Sequence, residues 1–187
     1  IEELQKIAVV GENLDLRIKI FLRINPLIKV GQYSTLKQQY GVPITQAKKA
    51  IEFATSHSHI ELVGLHFHGS YITNPEVYCI AANKLLKLAA YATECGGKIH
   101  YIDLGGGFPT NDNSQVRYGR SYNLQKAGQM IVKTLYKLLQ KYNLPEPTLI
   151  FEPGKYIVAN AMMALVKVVS SKKMGKENLV ITNGSVY

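Results

Sequence analysis

Cysteine, acidic residues and long apolar runs are all scarce in this chain, and each scarcity excludes something. No stretch approaches the roughly 18–20 unbroken apolar residues that a membrane span needs. The opening residues, IEELQKIAVVGENLD, carry acids where a signal peptide carries a basic segment. A soluble, cytoplasmic protein is the expectation. Cys79 and Cys95 fall within one helical pattern, about 24 Å apart at roughly 1.5 Å per residue, too far for a disulfide. Buried, reduced thiols are expected. Asp and Glu number 13 against 22 Lys and Arg, a formal charge of +9. A basic balance can serve nucleic acid, a membrane surface or an anionic ligand, but most lysines are dispersed along helical stretches such as KLLKLAAYA and VKTLYKLLQKY. The dense cluster SSKKMGKEN reads as a solvated loop. Nothing shows the aromatic interleaving of a nucleic-acid platform.

What is present suffices for a core: 187 residues with 47% apolar content suit one domain or a large part of one. Short runs rich in β-branched or aromatic residues, RIKIFLRINP (17–26), IELVGLHFHGS (60–70), KIHYIDLGGG (98–107) and TLIFEPG (148–154), predict buried parallel strands. Between them, residues 44–56, 75–97 and 123–142 carry the apolar spacing of amphipathic helices. Gly96 and Gly97 signal the end of the second helix, and Ser121 and Asn123 are candidate caps for the third. The alternation predicts an α/β fold with a parallel sheet.

An open doubly wound sheet and part of a (β/α)8 barrel both fit that order. Polar residues decide between them, because they fall at the C-terminal end of every strand: Arg23 and Asn25, then His66, His68 and Ser70, then Asp103 with its glycines, then Glu152 and Lys155. A barrel gathers its site from many strand ends, whereas an open sheet concentrates it at one switch point. A barrel is therefore expected. Four strands do not close one, since about eight are needed, so the chain reads as a fragment. Residues 1–160 are expected to form the second half of a barrel and residues 161–187 the passage into a β-domain.

Three stretches carry chemistry. Gly105, Gly106 and Gly107 directly follow a strand, where bare backbone N–H groups can meet an anion. A tight turn packed against its neighbour explains them equally well. The dinucleotide pattern GxGxxG fails, because Phe108 and Pro109 follow the triplet. In FEPGKY, Glu152 leaves an apolar strand, so a cationic or donor partner is expected for it, structural or ligand. Pro153 and Gly154 turn the chain, and Lys155 adds charge nearby. In HFHGS, His66 and His68 stand two apart and share one face of a strand. No third residue at metal-ligand spacing accompanies them, and no metal is expected.

As a set, LRINP, GLHFHGS, IDLGGGFP, FEPGKYIVANA and, more loosely, TNGSVY resemble the fold-type III pyridoxal-phosphate decarboxylases, the family of diaminopimelate, ornithine and arginine decarboxylases. The resemblance spans nearly the whole chain. It implies the C-terminal half of an alanine-racemase-like barrel, pyridoxal 5'-phosphate as cofactor and decarboxylation of a basic or diamino acid by a homodimer. By position, His68 resembles the histidine that stacks on the cofactor ring, and Ser70 the serine that reaches its phosphate. Gly105 to Gly107 resemble the glycine loop that cradles that phosphate, with Gly154 and Lys155 beside it. Glu152 resembles the glutamate that pairs with the pyridine nitrogen, and Arg23 an arginine behind it.

There are departures from the family pattern. Lys155 stands where the family usually has an arginine, and HFHGS is one residue short before Gly-Ser. Asn183 stands at the substrate position where ornithine-type enzymes have an aspartate. The Schiff-base lysine of the family lies upstream of everything here, so the isolated chain is expected to be inactive. Diaminopimelate, ornithine, lysine and arginine stay open as substrates, and an inactive regulatory homologue or a single PLP-binding barrel stands as the alternative.

Overall fold

The structure, a computed structural model, describes residues 1–110, 122–159, 161 and 165–184. It divides into two compact units, Ile1–Tyr156 and Ile157–Tyr187. In chain order the elements that begin in the first unit are α1 (Glu2–Leu14), β1 (Ile18–Asn25), β2 (Lys29–Val30), β3 (Tyr33–Ser34), β4 (Val42–Pro43), α2 (Ala47–Ser56), β5 (Ile60–His66), α3 (Glu76–Glu94), β6 (Tyr101–Asp103), α4 (Leu124–Tyr142), β7 (Thr148–Ile150) and α5 (Gly154–Val158). Five strands form one sheet in the order β4-β1-β5-β6-β7, and every pairing in it is parallel.

Strand register explains why this sequence forms this sheet. The middle row, Leu22, Leu65, Ile102 and Leu149, runs straight across four strands, and its first three members are buried. Side chains alternate along a strand, so the row before it, Phe21, Gly64 and Tyr101, faces the other way. There the Phe21 and Tyr101 rings lie 5.5 Å apart and both stay more than a third exposed. Gly64 leaves room for them, since a Cβ on it would stand 2.5 Å from the Phe21 ring and push that ring aside. One face of the sheet is thus sealed and the other open, which is how a segment of barrel wall is built; a doubly wound sheet is covered on both faces.

The helices that seal it bury a mixed apolar face of alanines and larger residues. Ala47, Ala50, Ile51 and Ala54 are buried on α2, and on α3 Ala81, Ala82, Ala89 and Ala92 alternate with Val77, Tyr78, Leu85, Leu86 and Leu88. Helix α3 ends as its glycines predict: Gly96 takes φ +82°, its N–H donates to Thr93, and the N–H of Gly97 donates to Ala92, the paired bonds of a Schellman cap. Asn123 caps α4 by accepting from the N–H of Lys126. Ser121, the other expected cap, lies outside the described residues.

Some expectations change. The strands at 98–107 and 148–154 shorten to three residues each, because the chain turns at Leu104 and Phe151 to build loops. Strands β2, β3 and β4 and helix α5 were not anticipated; the first three are two-residue elements too short to show a period. Cys79 and Cys95 are unbonded but half-buried, not buried. The second unit holds β8 (Val168–Met174) and β9 (Glu177–Thr182), an antiparallel hairpin. SSKKMGKEN is therefore a strand, a tight turn and the start of a strand, and not a loop. Gly175 at φ +60° makes the turn. No described helix is long and apolar enough to cross a membrane.

The open face and the edges β4 and β7 generate a prediction. Expressed alone, residues 1–187 should self-associate or aggregate as concentration rises, measured by sedimentation velocity. A monodisperse monomer with a cooperative melt would contradict it.

Candidate functional site

One step further along the strands, the row after Leu22, Leu65 and Ile102 is Arg23, His66 and Asp103. The polar strand ends of the sequence therefore lie side by side at one level of the sheet. Glu152, just past β7, reaches into the same place. Its Oε2 lies 2.5 Å from His68 Nδ1 and 3.6 Å from His66 Nε2. The two imidazoles meet edge to face, 6.1 Å between centres. Arg23 places its guanidinium 5.2 Å from the centre of the Tyr40 ring. Arg23, Tyr40, His66, His68 and Glu152 line an open cavity of about 580 Å³ with Lys37 and Ser70. A smaller cavity of about 190 Å³ adjoins it, sharing His68, Ser70 and Glu152 and adding Tyr71, Gly107 and Lys155.

Burial pushes the His66 imidazole below its ordinary pKa, opposed by the charges of Asp103 and Glu152 and assisted by those of Arg23 and His68. Its Nε2 is buried with no hydrogen-bond partner among the described residues. At 3.6 Å from Glu152 it is a neutral near neighbour and not an ion-pair partner. Glu152 departs from expectation: its side chain is 43% exposed, so it bears little of the desolvation cost foreseen for a carboxylate among apolar residues. It does have the expected donor partner, in His68. His66, His68 and Glu152 also bring their ligand atoms within 4.8 Å of one another. Local spacing offered no third group for a metal; the fold supplies one, from 84 residues further along than His68.

The glycine triplet is first a packing junction. A Cβ on Gly105 would stand 2.3 Å from the Phe67 carbonyl oxygen, on Gly106 2.3 Å from that of Glu152, and on Gly107 2.6 Å from that of Gly69. Gly105 and Gly107 also take φ of +65° and +92°. The N–H of Gly105 donates to Asp103 Oδ1 at 2.8 Å, so this donor is taken up by a carboxylate of the chain itself. The N–H groups of Gly106 and Gly107 donate to no described residue. Tyr78, from α3, donates its hydroxyl to the Gly106 carbonyl and stacks on Phe108.

Asn25, among the polar strand ends, is structural: its amide donates to the carbonyls of Thr35 and Gln38 and accepts from the N–H of Leu27. It thereby holds the segment that carries Lys37 and Tyr40 to the cavity. Gly154 has open space around it and begins α5. Asn183, expected at the substrate, lies in the second unit, where it accepts from the N–H of Lys167 and donates to its carbonyl. Lys155 sets its ammonium 3.6 Å from the centre of the Tyr71 ring. Sequence reasoning passed over Tyr71 and Tyr40 as site components. The position of Tyr71 directly after Ser70 was the available signal.

A family model described as "Pyridoxal-dependent decarboxylase, pyridoxal binding domain" matches residues 1–159. Diaminopimelate decarboxylase of Aquifex aeolicus (strain VF5) is 29% identical over 191 residues, covering 99% of this chain and 43% of that protein. Human antizyme inhibitor 2 is 30% identical over 145 residues, covering 75% of this chain and 29% of its own length. The crystal structure of Helicobacter pylori diaminopimelate decarboxylase complexed with L-lysine superposes with a TM-score of 0.74 at 28% identity, over 98% of this chain and 45% of that one. The chain spans less than half the length of these relatives.

Two outcomes follow from this geometry. Gly106→Ala forces a methyl group onto the Glu152 carbonyl and should destabilise the protein by about 1–3 kcal/mol, read from denaturant unfolding. With its folded pKa depressed, His66 stays neutral while the unfolded chain takes up a proton below about pH 6.5. Stability should therefore fall with pH below that point, by at most about 1.4 kcal/mol per pH unit from this group. His66→Asn should flatten the slope in a series of melts from neutral to acid pH.

Proposed function

Because the chain belongs to the pyridoxal-dependent decarboxylases, through their pyridoxal binding domain, we propose that the whole protein decarboxylates a basic or diamino acid. The observation that carries the reading is Glu152, held by His68 beside His66 where two adjoining cavities meet at the strand ends. The residues fit pyridoxal 5'-phosphate: a flat imidazole and a carboxylate border the larger cavity, while a hydroxyl, glycine backbone and a lysine border the smaller. When bound, the cofactor supplies a protonated pyridine ring that takes up the electron pair left as CO2 departs.

The chain's own groups have definable tasks. Glu152 holds the proton on the ring nitrogen through a charge-assisted hydrogen bond, worth about 1.5–3 kcal/mol. His68 orients that carboxylate through Nδ1 and offers its ring face to the cofactor. His66 and Arg23 stand behind the pair, where the fixed guanidinium charge helps keep His66 neutral. Ser70 and the N–H groups of Gly106 and Gly107 bind the phosphate, with Gly105 shaping the loop and Gly154 opening the turn. Lys155 supplies the neutralising charge. The lysine that binds the cofactor covalently comes from outside this chain by family resemblance, and none of the lysines here takes its place. A cytoplasmic homodimer completes the proposal. Diaminopimelate, ornithine, lysine and arginine all belong to the substrate class.

Likeness to antizyme inhibitor 2, with Lys155 in place of arginine, favours a second reading as a non-catalytic regulatory homologue. Titrating the full-length protein with pyridoxal phosphate, and following absorbance and CO2 release from the four amino acids, separates the two. A cofactor spectrum with CO2 release establishes the enzyme. Glu152→Gln should then slow release about 10- to 150-fold. Cofactor bound without release, or no cofactor spectrum at all, sinks the enzyme and supports the regulatory homologue.

A further inference from the structure

Lys155 has no carboxylate within ion-pair distance among the described residues; its ammonium lies over the face of Tyr71. Tyr71 sits at φ +52°, a backbone region that costs a bulky residue strain. It is held there from both sides. Ser70 before it lines the cavities, and Ile72 after it is fully buried, its N–H donating to the Gly107 carbonyl at 2.8 Å. In this conformation the Tyr71 ring is 41% exposed and lines the smaller cavity. An ammonium over a ring face is attracted by the ring's quadrupole. Lysine is a flexible point charge, without the rigid fork by which arginine aligns itself on a phosphate, so it gains from an external guide.

We propose that Tyr71 is a positioning residue for the cofactor's phosphate, its ring holding the Lys155 ammonium at the edge of the compartment bounded by Ser70 and Gly107. The inference rests on the cofactor reading above. Tyr71 makes the phosphate site selective for a dianion by fixing where the charge stands. It leaves recognition of the pyridine ring to Glu152 and His68.

The test measures dissociation constants of the full-length protein for pyridoxal phosphate and for pyridoxal, which lacks the phosphate. Tyr71→Gly removes the ring while suiting the left-handed backbone, so the variant should fold at least as well, checked by its melt. It should weaken pyridoxal phosphate about two- to fivefold and leave pyridoxal unchanged. Tyr71→Phe, which keeps the ring face, should retain the affinity. Lys155→Met should weaken pyridoxal phosphate about tenfold or more, and adding Tyr71→Gly to it should cost nothing further. Equal weakening of both ligands by Tyr71→Gly, additive losses in the double variant, or no change at all would overturn the inference while leaving the cofactor reading intact. Wild-type protein that binds neither ligand would overturn both.

Discussion

Three carbonyl oxygens press into the places where side chains would stand on Gly105, Gly106 and Gly107, and the site depends on that contact. They belong to Phe67, Glu152 and Gly69, so the seam welds the loop after β6 to the ends of β5 and β7. Asp103 tightens it from below by accepting the N–H of Gly105, and Tyr78 from the side through the Gly106 carbonyl. The approach of His68 to Glu152 follows from backbone packed against backbone at the ends of their strands. Of these glycines, Gly107 also lines the smaller cavity. Removing the Cβ atoms is what lets the strand ends close on one another at the border of that cavity.

Much of this was legible in the residues. Alternation along RIKIFLRIN set which side chains of β1 are buried, and polar residues at each strand's end marked the rim before any register was known. Glu152, His68 and the glycines could be singled out because each breaks a local rule, a charge or a flexible backbone directly after an apolar strand. What stayed hidden depended on tertiary geometry. The exposure of Glu152 follows from the end of β7 at Ile150, which no hydrophobic count reveals. The third member of the His66, His68 and Glu152 group was distant in sequence and invisible to spacing. SSKKMGKEN looked like a solvated loop because its charges are indeed exposed, yet a hairpin in which nearly every residue is exposed has no apolar face to betray it.

The charges show how a basic chain handles one acidic group. Glu152 is surrounded by neutral or cationic neighbours: His68 bonds it, His66 is kept neutral by burial, and Arg23 is turned onto Tyr40. Lys155 is likewise turned onto an aromatic ring. Arg23 and Lys155 are thus each set on a tyrosine face, one beside each cavity, and neither is ion-paired with Glu152. A direct salt bridge to Glu152 would consume the acceptor that a ring nitrogen needs.

Strand β7 has three residues and lies at the edge of the sheet. Few ladder bonds hold it, and its partner β6 is equally short, a setting that favours local opening. Glu152 hangs directly beyond it, clipped back by its N–H to the Gly105 carbonyl. A ligand seated against Glu152 would add to what holds this edge. Amide exchange along Thr148–Glu152 would then report occupancy as directly as any spectrum, because the ligand acts there as the missing neighbour of an incomplete sheet.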